Sequence, residues 1–427
     1  MRLGGTMRPL LRPLLRHPRL IAAAATVSAY ALLRWLRRKR LRRALAPAHP
    51  SWRDSAQAQL IGSTPLLPLH SLSKLCGCTI LAKCEQANPS GTGKDRIALA
   101  MLAEAEASGA LPSGGGGVVV EGSSGSTTIG LAPLVAAAGH RLVAVLPDDC
   151  AAEKRDAIAA FPGITIEVVR AASIASPTHY VNVARQRAAD LAAAGERVLF
   201  ANQFDNLANV RAHVKGTARE IRRQAAALGR TVDAFAMGAG TGGTIAGVSL
   251  GLGDGPRIYL ADPQGSSLHG RVRHGVCYDA RQAERFVERH RYDTIMDGVG
   301  LDRVTANFRA ARVDDACRVS DADALTMAHY LLRFEGLFLG SSSALNCVAA
   351  LRAAAELRKA HPDRDDITVV TVLCDSGHRY LSRFWNRAFV EKRGLEWPSA
   401  DAADLERAAA ALLDRPTDEP SLLLGGS

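Results

Sequence analysis

Four short segments carry the residue types from which a catalytic site can be assembled. Asn88–Ala98 reads NPSGTGKDRIA and places one lysine, Lys94, at the end of a small-residue loop that opens a helix. A nucleotide P-loop needs glycine where Asn88 stands and Ser or Thr where Asp95 stands, so that motif is absent. What remains is a lysine near a helix's positive end, where the neutral, nucleophilic amine of Schiff-base chemistry is easier to reach. Val118–Gly130, VVVEGSSGSTTIG, runs from a strand into glycine and hydroxyls, a cradle for an anion. Gly238–Gly247, GAGTGGTIAG, is a second such loop. Gly238, Gly240 and Gly243 satisfy the dinucleotide fingerprint, with Asp262 ending the next strand, so a nicotinamide or flavin enzyme is one reading. The other is a cup for a single phosphate at Gly240–Thr244. Val369–Leu381, VVTVLCDSGHRYL, sets Ser376 beyond a buried strand, as a ligand-facing hydroxyl or as a helix N-cap.

Parallel sheets position loops of this kind. Strands are expected at Val118–Val120, Leu142–Leu146, Ile164–Val169, Val198–Ala201, Val232–Met237, Ile258–Ala261 and Ile367–Leu373. Ala-rich segments of helical spacing, such as Ile97–Ala107 and Val181–Ala194, lie between them. Short apolar strands alternating with helices specify an α/β chain with sheets covered on both faces. A further helical face recurs through Leu405, Ala409 and Leu412.

The 427 residues carry a net charge of +11, unevenly placed. Residues 1–53 hold thirteen Lys/Arg and no acid, whereas residues 54–427 hold 40 basic and 42 acidic groups. The body therefore offers no electrostatic footprint for nucleic acid. The eight cysteines are scattered without C-x-x-C or H-E-x-x-H spacing, so no metal site is expected, and reduced thiols in an intracellular protein fit best. The C-x-C at Cys76–Cys78 is the one spacing open to a metal or redox pair. The leader is Arg-rich and acid-free, with fourteen uncharged residues at Leu20–Leu33 flanked by basic residues on both sides. Two addresses fit it. One is a mitochondrial outer-membrane anchor over about 20–36, a membrane partner that leaves the body facing the cytosol; the other is a cleaved matrix presequence.

Taken in order and spacing, the four segments join IGSTPLLPL (Ile61–Leu69), NQFDN (Asn202–Asn206), EGLFLGSSSA (Glu335–Ala344) and CDSGHRYLS (Cys374–Ser382). Over about Ala58–Phe384 the chain resembles the fold type II (β-family) pyridoxal-phosphate enzymes, and among them the cysteine synthase group. The nicotinamide reading accounts for only one of these loops. The resemblance implies a two-lobed, tryptophan synthase β-like α/β fold and a homodimer. Residues 54–96 and 205–390 would form a large cofactor lobe and 97–204 a smaller, mobile substrate lobe, flanked by the leader 1–53 and a tail at 391–427.

Carried over position by position, Lys94 matches the lysine that forms the internal aldimine with pyridoxal 5'-phosphate. Gly240, Thr241, Gly242, Gly243 and Thr244 match the phosphate cup, and Ser376 the hydroxyl facing the pyridine nitrogen. Ser123, Ser124, Gly125 and Thr127 match the cradle of the substrate carboxylate, with Gln203 helping to hold it. Ser126 stands where the family usually has an asparagine contacting the ring's 3′-oxygen, and Thr128 replaces a usual glycine. Fungal mitochondrial members of the group show a similar loop. Asp302 and Arg303 put charge near the expected cleft mouth. The implied reaction is β-replacement on an O-acylated or phosphorylated serine, through an aminoacrylate, with sulfide as nucleophile. Cystathionine β-synthase-like and serine/threonine dehydratase-like lyases are the neighbouring activities. A catalytically weak scaffold at the mitochondrial surface is the reading from a different class.

Overall fold

The apolar runs between the glycine-rich loops pair into two sheets. In this computed structural model the described residues are 51–279 and 294–415, and they fall in the unit Trp52–Ser427 apart from Ser51. The larger sheet comprises β1 (Leu66–Pro68), β2 (Thr79–Cys84), β7 (Ala234–Gly238), β8 (Arg257–Pro263), β9 (Asp315–Val319) and β10 (Thr368–Leu373). Its order is β1-β2-β10-β7-β8-β9, with β1 antiparallel and every other pairing parallel. The smaller sheet comprises β3 (Val118–Gly122), β4 (Arg141–Pro147), β5 (Ile164–Val169) and β6 (Val198–Phe200), all parallel, in the order β5-β4-β3-β6. The chain thus leaves the large sheet after β2, builds the small one, and returns at β7. Helices α1 (Lys94–Ala107), α2 (Ser126–Ala137), α3 (Gly243–Leu252) and α4 (Ser341–Ala360) each begin beside a strand's carboxyl end. Burial follows the alternation: β3, β7 and β10 are buried at every position, as parallel strands covered on both faces must be.

The seven expected strands are present, and β1, β2 and β9 are additional. A charged residue inside each of the last two broke the apolar pattern. Lys83 of β2 is fully buried, but its Nζ pairs with Glu220 at 2.7 Å and donates to the Thr64 carbonyl at 2.6 Å. Arg318 of β9 pairs with Asp279. The C-terminal helical face appears as the helix Ala402–Ala410.

Among the described residues no helix is long and apolar enough to cross a membrane. The expectations of a transmembrane anchor, a membrane partner and an outer-membrane location are corrected accordingly. The segment 20–36 that carried them lies outside the described residues, as does the presequence reading of the same leader.

A buried ion network fixes α1, and with it the lysine at its start. Arg96 is bidentate to Glu85, from Nε at 2.7 Å and Nη2 at 2.8 Å. It is bidentate to Glu220 as well, from Nη1 at 2.7 Å and Nη2 at 2.8 Å. Burial works to raise the Glu220 carboxyl, but hydrogen bonds and charge from Arg96 and Lys83 overcome it and hold the group at about 2. A depressed carboxylate contributes stability above its unfolded pKa and loses that contribution as pH falls toward the folded one. Unfolding stability should therefore decline from about pH 4.5 toward pH 2. Arg96→Met leaves the buried Glu85 without its counter-ion and Glu220 with Lys83 alone, and should cost about 3–5 kcal/mol in urea unfolding at neutral pH.

Candidate active site

Loops from both sheets meet, at the carboxyl ends of their strands, around one cavity of about 600 Å³. Lys94, Ser123, Ser124, Ser126, Thr127 and Gln203 lie on its wall. So do Gly240, Thr241, Gly242 and Thr244. Gly125 and Gly243 sit within those same loops but off the lining, and Ser376 is also off it. The placement is the one expected of ligands in α/β sheets.

Main-chain bonds hold three of the sequence motifs together at the end of β10. Gly93 N–H donates to the Cys374 carbonyl at 3.3 Å, Gly340 N–H to the Asp375 carbonyl at 3.0 Å, and Gly377 N–H to the Phe338 carbonyl at 3.0 Å. From the other side α2 packs directly on Lys94. A Cβ on Gly130 would lie 3.1 Å from the Lys94 carbonyl oxygen and 2.9 Å from Asp95 Oδ1, so only glycine permits that approach.

The Gly240–Thr244 loop turns into α3 through Gly242, whose φ of +81° is left-handed and whose absent Cβ would meet Phe308 Cβ at 2.5 Å. Thr305 Oγ1 ties the loop down by donating to the Thr241 carbonyl at 2.8 Å. The Thr244 hydroxyl lies 3.0 Å from His213 Nε2, and His213 Nδ1 lies 2.9 Å from the Thr217 hydroxyl. Burial lowers His213 to about 3, so the ring is neutral and able to orient the Thr244 hydroxyl without adding charge. N–H groups at the start of a ten-residue helix, with two threonine hydroxyls, form a donor set suited to a phosphate.

In the other loop Gly125 takes φ +115°, and its N–H donates to Ser123 Oγ at 2.9 Å. Thr127 Oγ1 donates to Gln203 Oε1 at 2.5 Å, and Gln203 Nε2 donates to the Gly122 carbonyl at 3.3 Å. Gln203 is thereby clamped to the cradle it was expected to serve. Glu121, directly before this loop, has no exposed surface, and burial pushes its carboxyl up to about 8. At neutral pH it is protonated and sets no negative charge beneath an anion cradle. Ser126 is half-buried at the start of α2, while Thr128 is fully buried.

Ser376 behaves as the N-cap of the alternative reading: its hydroxyl accepts from His378 N–H at 3.3 Å and lies 2.6 Å from His378 Nδ1. Ser342, in the first turn of α4, is the hydroxyl on the cavity wall beside Cys374. Burial raises the Cys374 thiol to about 11, leaving it protonated. Asn346 of α4 accepts from Gly238 N–H at 2.7 Å and donates to the Val372 carbonyl at 2.8 Å, joining the ends of β7 and β10. Sequence reasoning missed Ser342, Asn346, His213 and Asn209. The first two belong to the GSSSALN run, whose helical spacing turns positions 342 and 346 to one face. Asp262, on which the dinucleotide reading relied, has no exposed surface and accepts from His269 N–H at 2.7 Å.

The neutral His213 has a measurable signature. Its folded pKa lies below the unfolded value of about 6.5, so stability falls as pH drops through that window. Between about pH 7 and about pH 4.5, wild type should lose about 1–3 kcal/mol more than His213→Gln, read by denaturant titration at each pH.

The chain is similar to known proteins. A family described as "Pyridoxal-phosphate dependent enzyme" matches residues 57–375. Cysteine synthase 2 of Neurospora crassa is 45% identical over 81% of this chain and 76% of its own. Cysteine synthase 2 of Emericella nidulans is 45% identical over 77% of this chain and 78% of its own. Among solved structures, a hydrogen sulfide-producing enzyme from Fusobacterium nucleatum superposes with TM-score 0.62 at 27% identity, covering 77% of this chain and 99% of that one. The amine on the cavity wall, the phosphate-type cup and the two mostly parallel sheets fit that family's cofactor, pyridoxal phosphate. The chain therefore belongs to the fold type II pyridoxal-phosphate dependent enzymes, in the cysteine synthase and cystathionine β-synthase family of β-replacement catalysts.

Proposed function

We propose that this enzyme exchanges the acetate of O-acetyl-L-serine for sulfide, giving L-cysteine. The observation carrying the proposal is that one cavity joins the Lys94 amine, a carboxylate cradle and a phosphate cup. Bound pyridoxal phosphate supplies an electron sink that eases loss of the substrate's Cα proton and of its β-substituent. The chain supplies position and proton transfer. Gly240–Thr244 holds the phosphate, Ser123–Thr127 with Gln203 holds the substrate carboxylate, and the Lys94 amine takes the Cα proton and later returns it. In the balance of the reaction the Cβ–O bond breaks with acetate carrying off its electron pair, and sulfide supplies the pair for the new Cβ–S bond. The small sheet and its helices would serve as the substrate lobe that moves on binding. Support for the donor comes from the relatives named cysteine synthase 2.

Ser342, not Ser376, is assigned here to the ring nitrogen. Its hydroxyl is on the wall, whereas that of Ser376 is spent on His378. A neutral hydroxyl there makes a shallower electron sink than a carboxylate would, which suits elimination.

Lys94→Ala should abolish the visible absorbance of the lysine-bound cofactor and lower kcat by about a thousandfold or more. Failure of O-acetylserine to shift that absorbance in wild type would exclude it as donor. Ser342→Ala should shift the visible spectrum of the loaded protein and lower kcat about tenfold. Ser376→Ala should instead cost about 1 kcal/mol of stability through the lost cap. A spectral shift confined to Ser376→Ala would return the role to that residue.

A further inference from the structure

The cavity wall has three places for an anion, and the proposed reaction fills two. The phosphate cup and the carboxylate cradle are those two; Arg303 is the third. Its guanidinium lies 5.2 Å from the ring centroid of Phe204, the neighbour of Gln203. Its described charge partner, Asp205, is 3.9 Å away, and the other oxygen of that carboxylate already accepts from Ala306 N–H at 2.9 Å. Among the described residues the Arg303 side chain makes no hydrogen bond, although it is only 28% exposed. A guanidinium stacked on an aromatic face keeps its edge donors available, in the fork that matches carboxylate or phosphate.

Nothing else on the wall cancels this charge. Asp297 is paired with Lys154 at 2.7 Å, and Asp375 accepts from the Tyr380 hydroxyl at 2.6 Å within the core. Asp302 is exposed to water, which screens it. The segment bearing Arg303 is also rigidly placed. Thr305 bonds the Thr241 carbonyl at 2.8 Å, and Asn307 Nδ2 bonds the Gln203 carbonyl at 2.7 Å and that of Phe204 at 2.8 Å. The segment bearing Arg303 is thus tied to the phosphate cup and to Gln203, with Arg303 itself on the cavity wall.

We propose that Arg303 is a specificity residue that binds an anionic oxygen group, phosphate or carboxylate, on a reactant beyond the α-carboxylate. That group sits either on the leaving group of the amino-acid donor or on the thiol nucleophile. The inference rests on the β-replacement reading and extends it to the second half of the site.

The test compares cofactor-loaded wild type and Arg303→Gln with three reactant pairs. O-acetylserine with sulfide carries no third anion, O-phosphoserine with sulfide carries one on the leaving group, and O-acetylserine with homocysteine carries one on the nucleophile. The substitution should raise KM for the anionic reactant roughly tenfold to a hundredfold in one of the last two pairs. The first pair should change by less than about threefold. The arm that responds identifies which reactant bears the group. An equal change in all three pairs, or none in either anionic pair, overturns the proposal. Calorimetric titration of cofactor-loaded Lys94→Ala, with and without Arg303→Gln, gives affinities without turnover. If wild type converts none of the pairs, the β-replacement reading fails. A selective loss of phosphoserine or homocysteine affinity would still uphold Arg303, and its absence would sink it.

Discussion

The side-chain amide of Asn209 donates one hydrogen to the main-chain carbonyl of Gln203 at 2.9 Å and the other to the Thr241 hydroxyl at 3.0 Å. One buried group therefore joins Gln203, the partner of Thr127, to the phosphate-type cup. The separation of the Gln203 main chain from Thr241 is then set by the protein before any ligand arrives. The amide's oxygen presses on α3 as well: a Cβ on Gly243 would lie 1.9 Å from it. Glycine at that position thus follows from packing as much as from any phosphate contact. Much of the rest is arranged around this distance, because Thr305 and Asn307 approach the same two loops from the segment bearing Arg303.

Charge is handled consistently around that node. Lys83, Glu85 and Arg96 are buried and, with the partly buried Glu220, neutralise one another. Glu121 and His213 are buried without a counter-ion, and burial drives both to their neutral forms. The potential in the cavity is left to the loop amides, the α3 terminus, Lys94 and Arg303. Substrate orientation by fixed dipoles needs such a background, since stray buried charge would compete with it.

The sequence was most informative where one physical requirement dominates. Strands buried on both faces, such as β3, β7 and β10, read as unbroken apolar runs; β5 and β6 are partly exposed and were legible from their β-branched and aromatic content instead. Strands β2 and β9 were hidden because Lys83 and Arg318 look exposed until their partners, far off in the chain, are known. The choice between two candidate serines illustrates the same limit. Ser376 and Ser342 each stand near a glycine at the start of a helical turn, and only the three-dimensional neighbourhood separates a helix cap from a cavity wall. His213 and Asn209 left no sequence signal, because their roles are to hold other residues.

The position of β10 has a consequence for how the chain becomes folded. β10 lies between β2 and β7, and Thr368–Leu373 pairs residue for residue with Thr79–Cys84, about 290 residues away. The large sheet cannot close until nearly the whole body has left the ribosome. The small sheet, contained within Val118–Phe200, can form long before. Until β10 arrives, β2 and β7 each present an unpaired apolar edge, the kind of surface that chaperones cover and that invites aggregation. The motif after β10 also completes the cavity, so catalytic competence and closure of the sheet come at the same step of synthesis.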